Sequence, residues 1–192
     1  MFMFDIETMG KESTSVVLSI SCIHFDPDLD YTYQQLKDNA FFVKLNAKDQ
    51  IQRLDRVVRK DSLQWWEKQC ENAKIQSLYP NKVDMVAEEA LEKLRQWSLA
   101  KDPTQKQWVF ARGNLDQLVI ESLTDKIGVE QVFLFPRWRD VRTAIDFLYG
   151  TGNGYCKVEK EGFDSYIDVT KHNPIDDCAY DIMMLKYGVG DK

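Results

Sequence analysis

The chain has 192 residues, 44% of them hydrophobic, with 31 acidic against 25 basic side chains for a net charge of −6. This is too apolar for a disordered chain and suits one domain, expected over residues 1–192, with room for a sheet covered by helices. The acidic balance counts against a processive or tight duplex binder, which grips phosphates through many basic residues, but allows contact limited to a few nucleotides at a strand end. Cys22, Cys70, Cys156 and Cys178 show no CxxC pairing, which predicts free thiols in a reducing compartment rather than a disulfide framework or a zinc site. No run approaches the ~20 apolar residues of a membrane span and no basic leader precedes the first apolar stretch, so a cytoplasmic protein is expected.

The first element is a short apolar strand ending at Thr8, interrupted by Asp5 and Glu7. Side chains two apart on a strand share a face, so these carboxylates converge. Two bare carboxylates in an apolar strand repel each other and are costly to desolvate unless a divalent cation lies between them, and hard oxygen ligands suit Mg²⁺ or Mn²⁺. The competing reading is an edge strand whose polar face meets water.

Gly10 to Ser15 reads as a turn and Val16 to Phe25 as a second strand. A tight connection around Pro27 leads to a third strand over Ala40 to Leu45, and short connections predict an antiparallel meander. His24 is expected as a satisfied strand histidine. Asn46 to Lys60 has no clear period, and Arg53, Arg56, Arg59 and Lys60 read as a solvated basic face, with a phosphate contact left open. Asp61 or Ser62 is expected to cap a helix carrying Trp65 and Trp66. One of these tryptophans should be core, and the other could stack on a terminal base, worth ~1–3 kcal/mol.

Val83 to Ala100 is the most regular amphipathic helix and a structural layer without chemistry. After a loop through Lys106, Gln107 to Ala111 predicts a fourth strand, which Arg112-Gly113-Asn114 turns into a helix from Leu115 to Lys126. Asp116 therefore stands where a strand ends and a helix begins, a common place for an α/β active-site residue. Phe133 to Trp138 predicts a last short strand, followed by a helix from Arg139 to Tyr149 in which Arg139 or Arg142 is expected to pair with Asp140, with a phosphate contact left open. Residues 151–171 read as irregular. A final helix starts near Pro174, with Asp177, Asp181 and Met184 on one face and Cys178, Ile182 and Leu185 packing on the sheet.

Three of these stretches occur together in a known pattern. Asp5-Ile6-Glu7-Thr8, Ala111 through Asp116, and His172 through Asp177, in which the histidine precedes the last acid by five positions, resemble the three motifs of the DEDDh 3′→5′ exonucleases. The flanks Thr8-Met9-Gly10, Ser62 to Trp66, Arg139 to Thr143 and Asp177 to Tyr187 are similar to the exonuclease A group of tailed bacteriophages, in the same order and over nearly the whole chain. Leu115 departs from the pattern, which usually has an aromatic residue before the second-motif acid and a longer spacer.

The resemblance implies an α/β, ribonuclease-H-like fold: a mixed five-stranded sheet, three strands antiparallel, flanked by helices. It implies two Mg²⁺ or Mn²⁺, with Asp5, Glu7 and Asp177 holding one and Asp5 with Asp116 the other. His172, with an ordinary pKa near ~6.5, would be the general base. Thr8, Met9, Trp65 and Trp66 would contact the nucleic-acid 3′ end, with DNA preferred over RNA and mononucleotides released. Two rivals accompany this reading: an exoribonuclease using the same residues, and a non-catalytic nucleic-acid-binding module.

Overall fold

The alternation in the first strand sets the two layers of the molecule. In β1 (Phe2–Thr8), Phe2, Phe4 and Ile6 point to one side of the sheet, into a core closed by α5 (Ala87–Lys101) and α6 (Leu115–Ile127). Met3 points to the other side, into a core closed by α7 (Val141–Tyr149) and α9 (Pro174–Tyr187). Asp5 and Glu7 share the parity of Met3, so the pleat directs both acids toward the face that α9 covers. The computed structural model describes residues 1–190, and residues 191 and 192 of the expected domain range lie outside the described residues.

The five-stranded sheet has the order β3-β2-β1-β4-β5, formed with β2 (Val17–His24), β3 (Ala40–Lys44), β4 (Val109–Ala111) and β5 (Trp138–Asp140). β1, β2 and β3 are antiparallel neighbours, and β4 and β5 continue from β1 in parallel. The mixed sheet with helices on both faces is the ribonuclease-H-like arrangement. Among the described residues no helix is long and apolar enough to cross a membrane, and the four cysteines are free.

Several local expectations give way to tertiary contacts. The connection after Pro27 is not merely a tight turn. It contains α1 (Tyr33–Asp38), started by a reciprocal cap between Thr32 and Gln35 that buries Tyr33 and Leu36. Asn46 caps α2 (Ala47–Leu54) within the stretch that showed no period. α5 begins at Ala87 rather than Val83, because Met85 is drawn out to bridge Leu45 beside β3, leaving Val83 exposed. The predicted strand over Phe133–Trp138 is displaced: Val132 and Phe133 sink into the core, Phe135–Arg137 form a 3₁₀ turn, and pairing starts at Trp138. In the segment expected to be irregular, β6 (Lys157–Val158) pairs with β7 (Gly188–Val189), and α8 (Ser165–Asp168) forms one short turn.

Arg53, Arg59 and Lys60 of the basic cluster are exposed as expected, but Arg56 is not. Arg56 is buried and donates to the carbonyls of Ser13 and Ser15, Arg53 pairs with Asp49 and Glu88, and Arg59 pairs with Glu12. These charges tie the β1–β2 turn, α2 and α5 together, and all three guanidinium groups are engaged. His24 is the satisfied strand histidine expected, with Nε2 2.9 Å from Gln107 Oε1.

The paired tryptophans lie on α3 (Lys60–Glu67), which begins after Arg59 without a side-chain cap; neither Asp61 nor Ser62 serves as one. Downstream, a single turn α4 (Glu71–Ala73) runs into a wider π turn through Leu78. Trp66 is fully buried against Met9, Val16, Leu18 and Ala73, and its Nε1 donates to the Thr8 carbonyl at 3.1 Å. It thereby pins the end of β1 one residue beyond Glu7. Replacing Trp66 by Ala should cost about 3–5 kcal/mol, the range for emptying a large aromatic site. Urea denaturation measures it, and the half-exposed Trp65→Ala is the control expected to lose far less.

Candidate active site

Three elements bring the acids together: β1 supplies Asp5 and Glu7, the first turn of α6 supplies Asp116, and the first turn of α9 supplies Asp177. α9 starts where it does because the Asn173 side chain accepts the Ile175 N–H and Pro174 occupies the first turn, where its missing N–H has no helical partner to lose. The β4–α6 turn is held by Asp140, whose Oδ1 accepts from Gly113 N at 3.0 Å and from Arg142 N at 3.1 Å. Arg142 thus stays beside Asp140, its Nε at 3.7 Å, whereas Arg139 donates to the carbonyls of Pro136 and Trp138.

His172 approaches from the loop before α9 with a left-handed backbone, φ 63°. Its N–H donates to Asp177 Oδ2 at 3.0 Å, and its Nδ1 stands 4.0 Å from Glu7 Oε1. Ligand atoms of Glu7, His172 and Asp177 all lie within 4.8 Å of one another, close enough to meet at one ion. The Trp65 ring packs edge-on to the His172 ring at 4.6 Å between centroids.

Electrostatically the site is strained. Burial, followed by the charges of Asp116, Asp177, Glu7 and Asp181, holds the Asp5 carboxyl well above the usual range. Glu7 is raised by burial and by Asp177 and Asp116. Burial and Asp181 push Asp116 up to about 8, against the pull of Arg142. Burial and Asp181 push Asp177 up to about 7, against the hydrogen bond from His172. Asp5 is partly accessible as a residue, yet its Oδ2 is sealed from solvent with no hydrogen-bond partner. An orphaned carboxylate oxygen among three further acids is the donor set that a hard divalent cation fits.

A fifth acid belongs to this group. Asp181, one helical turn beyond Asp177, is buried and accepts from Arg112 Nε at 3.2 Å on both oxygens. Arg112 also donates to the Gly154 carbonyl at 3.0 Å and lies over the Tyr155 ring at 4.1 Å. The helical spacing showed Asp181 on the face of Asp177; its neutralisation by a residue 69 positions earlier has no local signature.

Two clefts flank the acids. One, of about 330 Å³, is lined by Glu7, Thr8, Lys11, Ser62, Trp65 and Leu115. The other, of about 550 Å³, is lined by His172, Asp177, Tyr155, Tyr166, Lys171 and Tyr180. Thr8 and Trp65 line the first cleft. Met9 and Trp66 do not: both are packed in the core beneath it, so neither offers a face to a base. The physical reason is strand parity and helix phase. Met9 continues inward past the β1 bulge, and Trp66 turns onto the side of α3 facing β2 while Trp65 turns outward.

Residues 1–189 match the family described as the 3′-5′ exoribonuclease Rv2179c-like domain. The chain belongs to this family. It is also 27% identical, over 206 residues, to the exodeoxyribonuclease of Enterobacteria phage T4, a match covering 98% of this chain and 88% of the phage protein. The protein is therefore a 3′-5′ exonuclease of DEDDh type, a hydrolase similar to a phage exonuclease.

The raised carboxyls make a testable demand on this exonuclease. In the folded state without metal they hold protons that the unfolded chain releases near pH ~4, so the folded state binds more protons and rising pH favours unfolding. In EDTA, stability to denaturant should fall as pH rises from about 4 to the folded values of about 7 and about 8 for Asp177 and Asp116. Asp5→Asn should raise the metal-free melting temperature more at pH 8 than at pH 5. Stability rising across this window would contradict the crowding.

Proposed function

We propose that this exonuclease shortens single-stranded DNA from its 3′ end, releasing mononucleotides, with Asp5, Glu7, Asp116 and Asp177 holding two Mg²⁺ or Mn²⁺ ions. The observation that carries the reading is the convergence of these four acids around a buried Asp5 oxygen with no partner. When bound, such ions supply charge stabilisation at the reacting phosphate and lower the pKa of a water. The chain's own residues supply the rest. His172 is the general base: burial lowers its pKa, so the ring is neutral and proton-accepting near neutral pH. Its backbone bond to Asp177 and the edge of Trp65 hold that ring against Glu7. Trp65, 40% exposed, and Thr8 line the cleft that takes the terminal nucleoside, where stacking on an aromatic face is worth ~1–3 kcal/mol and tolerates any base.

The choice of DNA is supported by the phage T4 relative, named as an exodeoxyribonuclease and matched over most of both chains. The family's description as an exoribonuclease domain favours a second reading, RNA shortened by the same residues. Matched DNA and RNA oligonucleotides labelled at the 5′ end and digested side by side decide between them. Faster shortening of DNA is expected, and faster shortening of RNA would reassign the substrate while sparing the mechanism. Cleavage of a circular strand would refute end-dependent attack.

EDTA should abolish turnover and Mg²⁺ or Mn²⁺ restore it, and Asp5→Ala should lose nearly all activity while staying folded. His172→Ala should reduce turnover by roughly 10²–10⁴-fold, the contribution of a positioned general base, with little change in strand affinity. An equal fall in affinity and turnover would make His172 a binding residue instead.

A further inference from the structure

A chain of net charge −6 that handles a polyanion needs its cations in the right places, and most arginines here are committed elsewhere. Arg53, Arg59, Arg95 and Arg112 are ion-paired, and Arg56 and Arg139 donate to backbone carbonyls. Arg142 differs. Its nearest acid is Asp140 at 3.7 Å, beyond hydrogen-bond reach, and among the described residues no side-chain donor of Arg142 has a partner. The side chain is nonetheless held in place. Its stem crosses Gly154 and its guanidinium lies on Gly113, so closely that a Cβ at either position would collide with it, and both glycines have positive φ. A guanidinium held between glycine walls, half exposed and joined to Asp140 only by a loose ion pair, is preset for an anion with two oxygens to offer.

Its position says which anion. Arg142 lines a cleft of about 370 Å³ with Asn114, Gln117 and Arg139 at the N-terminus of α6, distinct from the Trp65 cleft. Leu115 borders one cleft and Asn114 the other, and Asp116 follows directly. A strand whose terminal nucleoside lies against Trp65 and whose scissile phosphate lies over the acids continues toward Arg142. We propose that Arg142 and its cleft form a subsite for the phosphodiester one linkage 5′ of the bond being cut. The inference rests on the proposed placement of the terminal nucleoside. Arg142 also acts on Asp116 and Asp181 through space, lowering the pKa of both, which places its charge within reach of the acid cluster. A phosphate contact is blind to the sugar, so this subsite serves DNA and RNA alike.

Binding tests it without turnover. Affinity for a fluorescent single-stranded DNA is measured by anisotropy with Ca²⁺ in place of Mg²⁺, for an unmodified strand and for one with a neutral methylphosphonate at the linkage 5′ of the terminal one. In the wild type the neutral linkage should weaken binding about 10- to 100-fold, the range of one charge-assisted contact. Arg142→Gln should weaken binding of the unmodified strand to a similar degree, and the neutral linkage should then cost that variant nothing further. Arg142→Lys should recover part of the loss, because it keeps the charge without the fork. The slope of log affinity against log salt should fall by about 0.7 in Arg142→Gln, as for one phosphate contact on a single strand. Losses that multiply rather than overlap, a harmless neutral linkage in the wild type, or the same coupling appearing with Lys171→Gln instead would overturn the proposal. Turnover of the unmodified strand with Mg²⁺, read separately, tests the exonuclease mechanism itself.

Discussion

The repulsion among Asp5, Glu7, Asp116, Asp177 and Asp181 is the constraint around which the other features of the site are arranged. Burial raises the pKa of all five, and the neighbouring acids raise Asp5, Glu7, Asp116 and Asp177 further, because like charges brought together out of water disfavour ionisation. The protein relieves it in parts. The His172 N–H stabilises Asp177, the Arg112 guanidinium answers Asp181, and Arg142 acts on Asp116 from its glycine-walled seat. What no protein group relieves is Asp5, whose inner oxygen has no partner. An arrangement that neutralises the periphery of an acid cluster and leaves its centre bare keeps its unfavourable energy where a cation can remove it.

The scaffold turns this local conflict into a geometry. β1 lies in the middle of the sheet, clamped by β2 on one side and β4 on the other, so its pleat cannot rotate the acids away from α9. Trp66 secures the strand end by a hydrogen bond to Thr8, and Trp65, the next residue on α3, meets His172. One short helix thus fastens both the acid-bearing strand and the histidine, with adjacent tryptophans doing different jobs because successive helical residues point about 100° apart.

Charge placement matters more than charge count. The basic residues that look most like a nucleic-acid track, Arg53 to Lys60, mostly brace the fold through carbonyls and ion pairs. Arg142, the arginine proposed to meet a phosphate, pairs only loosely with Asp140 and shares a cleft with Arg139. Net charge governs encounter and salt dependence, whereas a few preset contacts govern register on the strand. An acidic exonuclease acting at a strand end is compatible with both.

From the sequence alone, the elements whose signal is local were legible. The alternation in β1 placed Asp5 and Glu7 on one face, the Asn173-Pro174 start put Asp177 in a first helical turn, and the spacing to His172 completed a set whose family membership follows. Strand–turn–helix chemistry around Gly113 likewise put Asp116 at the tip of its helix. Tertiary structure alone decided matters that depend on distant partners. It buried Met9 and Trp66 while leaving Trp65 at the cleft, buried Arg56, and paired Arg53 and Arg59 at the surface. It also moved the last strand from Phe133 to Trp138, brought Arg112 to Asp181 across 69 residues, and laid Arg142 on Gly113 and Gly154. The physical reason is the range of the forces involved. Pleat, cap and helical period act within a few residues and are written in the local sequence, whereas desolvation and charge pairing depend on what the completed fold places nearby.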